Sequence, residues 1–125
     1  MPGKKILIVD DEPDILAVVV FRLKKAGFEV ATATDGKAGL EAAKRENPDL
    51  ILLDLRLPLM NGYEVCEEIR RDPGLGNVPV IFLSASADEN INENVIKYGG
   101  SDYIRKPFET GELFAKINIY LNAGQ

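Results

Sequence analysis

Leu50-Ile51-Leu52-Leu53-Asp54, leading into Leu57-Pro58 and Asn61-Gly62, is the stretch whose reading decides the fold. Branched apolar residues in an unbroken row, with no polar alternation, read as a strand buried on both faces. The proline and glycine that follow read as loop. A strand covered on both faces belongs to a parallel sheet with helices on either side, and such sheets gather their chemistry at the carboxyl ends of the strands. Asp54 falls at that edge, ending a buried run where an unpaired carboxylate is costly. A second run, Ile6-Leu7-Ile8-Val9, ends in the same way in Asp10-Asp11-Glu12.

Short apolar runs alternate with longer amphipathic ones along the rest of the chain. Strands are predicted over 5–9, 29–33, 50–53, 80–83 and 102–104, and helices over 12–26, 36–46, 62–71, 89–98 and 110–122. Gly27, Asn47-Pro48, Pro73-Gly74, Gly76 and Gly99-Gly100 stand in the gaps as breakers, and Asp35 before Gly36 reads as a turn and helix cap. Strand–helix repetition of this kind predicts an α/β fold of three layers, doubly wound as (βα)5 with right-handed crossovers. With no internal repeat, low-complexity segment or interdomain linker, residues 1–125 read as a single domain. The first helix is more apolar than one buried face requires. With Ile15, Val18 and Val19 towards the sheet, Leu16 and Val20 lie together at its edge, either as a wide buried stripe or as an apolar docking strip for a partner helix.

Composition narrows the function classes. The net charge of −5, from 15 basic and 20 acidic residues, argues against direct nucleic-acid binding by this domain, which needs a basic excess. The chain has no histidine, which excludes Ser-His and Cys-His nucleophile pairs and His-ligated metals. Its one cysteine, Cys66, lies in a helical pattern between Val65 and Ile69 and reads as a small core residue. No apolar stretch is long enough to span a bilayer, so no membrane association is expected. Lys4-Lys5 run straight into a strand without a signal-peptide core, and a cytoplasmic location is expected.

The strand ends carry the chemistry. In a parallel sheet Asp10 and Asp11 after the first strand, Asp54 after the third, Ser84 after the fourth and Lys106-Pro107 beyond the fifth share one edge. Carboxylates gathered there repel one another, and at least one pKa rises unless a cation neutralises them. Hard oxygen ligands select Mg²⁺ or Mn²⁺. Lys106 would balance the charge of a phosphoryl group at Asp54, and the Ser84 hydroxyl would donate to one of its oxygens. These are the parts that phosphoryl transfer to a carboxylate requires. Taken singly, Asp10-Asp11 reads as a helix cap, Ser84 as a strand-end hydroxyl and Lys106-Pro107 as a loop dipeptide; their joint order favours a working site.

Four segments carry a family resemblance: Ile8-Val9-Asp10-Asp11-Glu12; Leu53-Asp54-Leu55-Arg56-Leu57-Pro58-Leu59-Met60-Asn61-Gly62; Leu83-Ser84-Ala85; and Gly99-Gly100-Ser101-Asp102-Tyr103-Ile104-Arg105-Lys106-Pro107-Phe108. Together they closely resemble the receiver domains of two-component response regulators. The resemblance implies a flavodoxin-like five-stranded sheet in the order 2-1-3-4-5. It implies that Asp54 accepts a phosphoryl group from a histidine kinase or histidine phosphotransfer protein. Asp10 and Asp11 would hold Mg²⁺, with Asp11 the direct ligand and the Arg56 backbone carbonyl completing the set with Asp54. Ser84 and Lys106 would contact the phosphoryl group, Pro107 would follow a cis bond, and Ser84 and Tyr103 would form the switch. The readout surface would be the fourth helix, fifth strand and fifth helix.

Some positions bear on how this chain would differ. Arg56 and Ser86 occupy places that in the family influence phosphoryl lifetime, and an Arg56 side chain over the phosphoryl group would hinder an attacking water. Tyr98 stands where a small residue is usual. Residues 106–117 resemble receivers attached to winged-helix DNA-binding domains, in which residues matching Asp102 and Lys116 pair across a phosphorylation-promoted homodimer, although Asn92 replaces the usual basic residue of the fourth helix. The protein is expected to act on itself, by phosphotransfer and slow dephosphorylation, and not as an enzyme with a diffusible substrate. A Mg²⁺ phosphatase would want a second carboxylate where Arg56 stands. A flavin or nucleotide module would want a phosphate-cradling loop where Asp10-Asp11-Glu12-Pro13 stands.

Overall fold

The structure, a computed structural model, describes residues 3–85 and 89–122, the last without its side chain. Ten elements alternate: β1 (Lys5–Val9), α1 (Pro13–Lys25), β2 (Glu29–Ala33), α2 (Gly36–Glu46), β3 (Leu50–Asp54), α3 (Gly62–Arg71), β4 (Val80–Ser84), α4 (Ile91–Lys97), β5 (Asp102–Arg105) and α5 (Thr110–Asn122). All strand pairs are parallel, in the order β2-β1-β3-β4-β5. This is the doubly wound flavodoxin-like fold expected from the sequence.

Period-two alternation divides the apolar residues between two layers. Leu7, Val9, Ile51, Leu53, Val80 and Phe82 pack under α2, α3 and α4, against Ala42, Ala43, Val65, Cys66, Ile69, Ile91 and Val95. Ile6, Ile8, Leu50, Leu52, Ile81, Leu83 and Ile104 point the other way, against Val19 and Leu23 of α1 and Leu113 and Ile117 of α5. β1, β3 and β4 are fully covered or nearly so, which explains why their sequences show no polar alternation.

The caps follow local chemistry. Asp35 Oδ1 accepts from the Ala38 N–H (2.7 Å) at the start of α2, and Asn47 closes that helix in the left-handed conformation (φ 49°). α3 opens with a reciprocal capping box between Asn61 and Glu64. α1 begins at Pro13, its first-turn proline, with Glu12 as N-cap, one residue later than predicted. α4 is shorter than the predicted 89–98. Glu89 and Asn90 form a turn, and Asn90 makes no side-chain cap to draw the helix back.

Two readings of apolar residues meet different outcomes. On α1, Val19 and Leu23 are buried, and Leu16 and Val20 pack half-buried on the core. Leu16 and Val20 thus belong to a wide buried stripe, one of the two readings above, and the large apolar side chains turned to solvent are Val18 and Phe21, 56% and 62% exposed. The 3.6-residue period places Val19 and Leu23 on one stripe, Phe21 opposite it, and Val18, expected towards the sheet, outside it. Cys66 is fully buried, as read, and burial pushes its thiol up to about 11. Cys66 is therefore expected to resist a thiol-specific chromogenic reagent at pH ~8 in native buffer and to react stoichiometrically once urea unfolds the chain. Rapid labelling of native protein would contradict this.

Candidate functional site

Among the described residues, the buried polar and charged side chains are Asp10, Asp54 and Ser84, and all three lie at the carboxyl edge of the sheet. Backbone bonds place them there. The Asp10 N–H donates to Ala33 O (3.1 Å), carrying the β1–β2 ladder one residue beyond the strand. Leu55 N–H to Leu83 O (3.2 Å) and Lys106 N–H to Ser84 O (2.7 Å) do the same for β3 and β5. β3 and β4 each run one residue further than predicted, so Asp54 and Ser84 are the last residues of their strands. Gly62 opens α3 against the Asp54 carbonyl, where a Cβ would collide with the backbone.

Lys106 draws the edge together. Its Nζ lies 2.9 Å from Asp10 Oδ2, 2.9 Å from Glu12 Oε1 and 2.9 Å from Asp54 Oδ2. The Lys106–Pro107 bond that follows is cis, as the family resemblance implied. Asp54 Oδ1 accepts from the Arg56 N–H (3.1 Å), and Asp10 Oδ1 from the Glu12 N–H (2.8 Å). Burial pushes the Asp54 pKa up, and this outweighs the lowering by Lys106 and the Arg56 amide. Burial alone would lower the Lys106 pKa, but the carboxylates of Asp10, Glu12 and Asp54 around its ammonium hold it well above the ordinary lysine value.

Carboxylate oxygens of Asp10, Glu12 and Asp54 all lie within 4.8 Å of one another. A divalent cation fits this set on one structural observation. Asp10 Oδ2 is buried and has no hydrogen-bond partner among the described residues, since Lys106 stands at ion-pair distance without hydrogen-bonding geometry. Such an orphaned acceptor is what a hard cation satisfies. Asp11, expected as the direct ligand, is exposed and outside the cluster. Glu12 takes the third place, which the sequence reading had given only to a helix end. As N-cap of α1 its side chain makes no cap, and its carboxylate is spent on Lys106. The signal that could have found it is its offset of two residues from Asp10, which allows a loop to fold the carboxylate back over the strand end.

The remaining positions fall into place around this cluster. The Arg56 side chain is exposed, while Ser86 lies outside the described residues. Tyr103 on β5 is half-buried against the α2–α4 layer. Its ring has Lys116 Nζ 5.4 Å and the Arg105 guanidinium 5.7 Å from its centroid. Lys116 Nζ bonds Asp102 Oδ1 (2.8 Å) within the same chain. Burial would raise the Asp102 pKa, but Lys116, the Tyr103 N–H and the Tyr120 hydroxyl together hold it below the usual carboxylate range. Tyr98 stacks on Tyr63 (4.5 Å between centroids, 25°), joining the end of α4 to α3.

Residues 6–118 match the model of the response regulator receiver domain family. The chain belongs to that family. It is 40% identical over 121 residues to a probable transcriptional regulator, ycf27, of Porphyridium aerugineum, covering 97% of this chain and 49% of the relative. It is 37% identical over 123 residues to the alkaline phosphatase synthesis transcriptional regulatory protein PhoP of Bacillus subtilis, covering 98% of this chain and 50% of the relative. Among solved structures, the receiver domain of the sensor histidine kinase PA1611 of Pseudomonas aeruginosa superposes with a TM-score of 0.88 at 35% identity, over 96% of this chain and 98% of that one. That structure has a magnesium ion coordinated in its active-site cleft. The chain thus spans about half the length of these two regulators. Among the described residues, no helix is long and apolar enough to cross a membrane.

In metal-free buffer the receiver domain is expected to gain stability on addition of Mg²⁺ and to lose it again with EDTA. At about a hundredfold excess over Kd the gain is ~2.7 kcal/mol in urea denaturation. Asp10→Asn and Asp54→Asn should both shrink that increment. An undiminished increment in both variants would put the cation elsewhere.

Proposed function

We propose that this receiver domain is a phospho-acceptor switch of a two-component system or phosphorelay, in which Asp54 takes a phosphoryl group from a histidine kinase or a histidine phosphotransfer protein. One observation carries the reading: a buried carboxylate at the end of β3 whose two oxygens are held by the Arg56 N–H and by Lys106. An Asp54 oxygen attacks the phosphorus of the donor's phosphohistidine. The P–N bond breaks, its electron pair stays on the imidazole nitrogen, and that nitrogen takes a proton from solvent. Lys106 then balances the phosphoryl charge, and the Ser84 hydroxyl donates to a phosphoryl oxygen.

Asp10, Glu12 and Asp54 would hold Mg²⁺ by their geometry, and Asp11 and the Arg56 carbonyl by family resemblance. The ion, or Mn²⁺ in its place, would offset the charge gathering on the transferred group. The chain turns over no diffusible metabolite in this reading; transfer onto itself and slow hydrolysis are its only chemistry. The reaction is expected in the cytoplasm in this reading.

Ser84 drawn towards the phosphoryl oxygens would vacate space for the Tyr103 ring, altering the α4–β5–α5 face that an output partner reads. The relation to regulators described as transcriptional supports an output of that kind. A phosphorylation-promoted homodimer through the same face would have to draw Asp102 and Lys116 out of their present pairing with each other.

Incubation with acetyl phosphate and Mg²⁺ is expected to give one phosphoryl adduct by intact-mass spectrometry, lost on omission of Mg²⁺ and absent from Asp54→Ala. An adduct that survives in Asp54→Ala would refute the assignment. Arg56→Ala is expected to lose the phosphoryl group faster than wild type in the same assay, because a guanidinium laid over the phosphoryl group would obstruct the attacking water.

A further inference from the structure

Lys116 makes more contacts on β5 than a surface lysine needs. Its Nζ donates to Asp102 Oδ1 (2.8 Å) and to the Tyr103 carbonyl oxygen (2.9 Å), and stands 5.4 Å from the centre of the Tyr103 ring. Asp102 is tied from both sides. Its Oδ1 also accepts from the Tyr103 N–H (2.7 Å). The Tyr120 hydroxyl sits between Asp102 Oδ2 (3.0 Å) and the Ser101 carbonyl oxygen (2.9 Å), sharing its one proton between them. Two residues of α5, Lys116 and Tyr120, are thereby bonded to Ser101, Asp102 and Tyr103. The pair is only partly open to solvent, with side-chain exposures of 29% for Lys116 and 24% for Asp102.

We propose that Lys116 is a latch: by gripping the Asp102 carboxylate, the Tyr103 backbone and the Tyr103 ring together, it holds that ring in its present setting and opposes the switch. The inference rests on the phospho-acceptor reading above. Turning the ring away gives up the ammonium over its face. It also disturbs the backbone that supplies one acceptor of Lys116 and one donor to Asp102. An ammonium offered three partners on one short stretch of strand resists that motion more than a single surface ion pair would. Asp102 remains a carboxylate throughout the physiological range, since its bonds hold its pKa down, so the latch is closed wherever the protein works.

Linkage fixes the sign of the test. If the latch favours the resting state, opening it must raise the affinity of Asp54 for any group that favours the switched state, by the factor it removes from the resting population. Beryllofluoride in the presence of Mg²⁺ binds an aspartate carboxylate as a phosphoryl mimic. Its half-saturation can be read from the Tyr103 ring resonance in solution NMR, assigned with Tyr103→Phe. Lys116→Met keeps the length of the side chain and removes its charge, and Asp102→Asn breaks the same pair from the other side while keeping a partner for Tyr120. Both variants are expected to lower the half-saturation concentration by about threefold or more, the size of a partly exposed ion pair, whereas Lys116→Arg restores the wild-type value. A smaller fall, no change or a rise in both variants would overturn the latch. Absence of any Asp54-dependent adduct in the wild type would instead overturn the phospho-acceptor reading itself, and the latch with it.

Discussion

Asp10 and Asp54 are buried side by side at the carboxyl edge of the sheet, and the Lys106 ammonium, 2.9 Å from an oxygen of each, is the positive charge that allows both to stay there. Two ionised carboxylates removed from water and unpaired would repel and would each carry a desolvation penalty of several kcal/mol. Lys106 belongs to the segment after β5, whereas Asp10 follows β1 and Asp54 ends β3, so the contact closes only when three strands are in register. The arrangement is not neutral, however. One ammonium faces carboxylates from Asp10, Glu12 and Asp54, and the surplus negative charge is what a divalent cation would satisfy. A site that is short of positive charge, with one buried acceptor unbonded, is prepared for ligands that bring it.

The sheet was legible because its physics is local. Fully covered strands leave unbroken apolar runs, and the breakers between them are glycines, prolines and asparagines with fixed conformational roles. Asp54, Ser84 and Lys106 could be placed by the same reasoning, since a parallel sheet brings its strand ends together whatever lies between them. The third acid of the cluster was harder to see. Asp11 and Glu12 are adjacent in sequence, and which of them turns inward depends on the loop after β1, where no periodicity applies. In the structure it is Glu12, because the Asp10 side chain accepts the Glu12 N–H and folds the chain back at that point.

Whether Asp102 and Lys116 pair within one chain or across two was not legible for a related reason. Sequence comparison identifies both residues but not whether a charge meets its opposite in its own chain or in another. Here a half-buried lysine on α5 finds the carboxylate on the neighbouring strand directly, and a given ammonium cannot serve both pairings at full strength. The α1 stripe shows the same weakness on a smaller scale. A helix nearly all apolar on successive positions does not announce which residues face the sheet: Val18, expected towards it, is exposed together with Phe21, while Leu16 and Val20 pack on the core.

β3 alternates without a break between two separate interiors, Ile51 and Leu53 in one and Leu50 and Leu52 in the other, and then ends at once in Asp54. The strand therefore behaves like a reading frame. Loss of a single residue ahead of Asp54 would send every following side chain to the opposite layer and draw the carboxylate back by about one strand step, ~3.3 Å, away from Lys106. Exchanges among Leu, Ile and Val within the run leave that frame intact. What this segment must keep is its count of residues, more than the identity of any one of its apolar members.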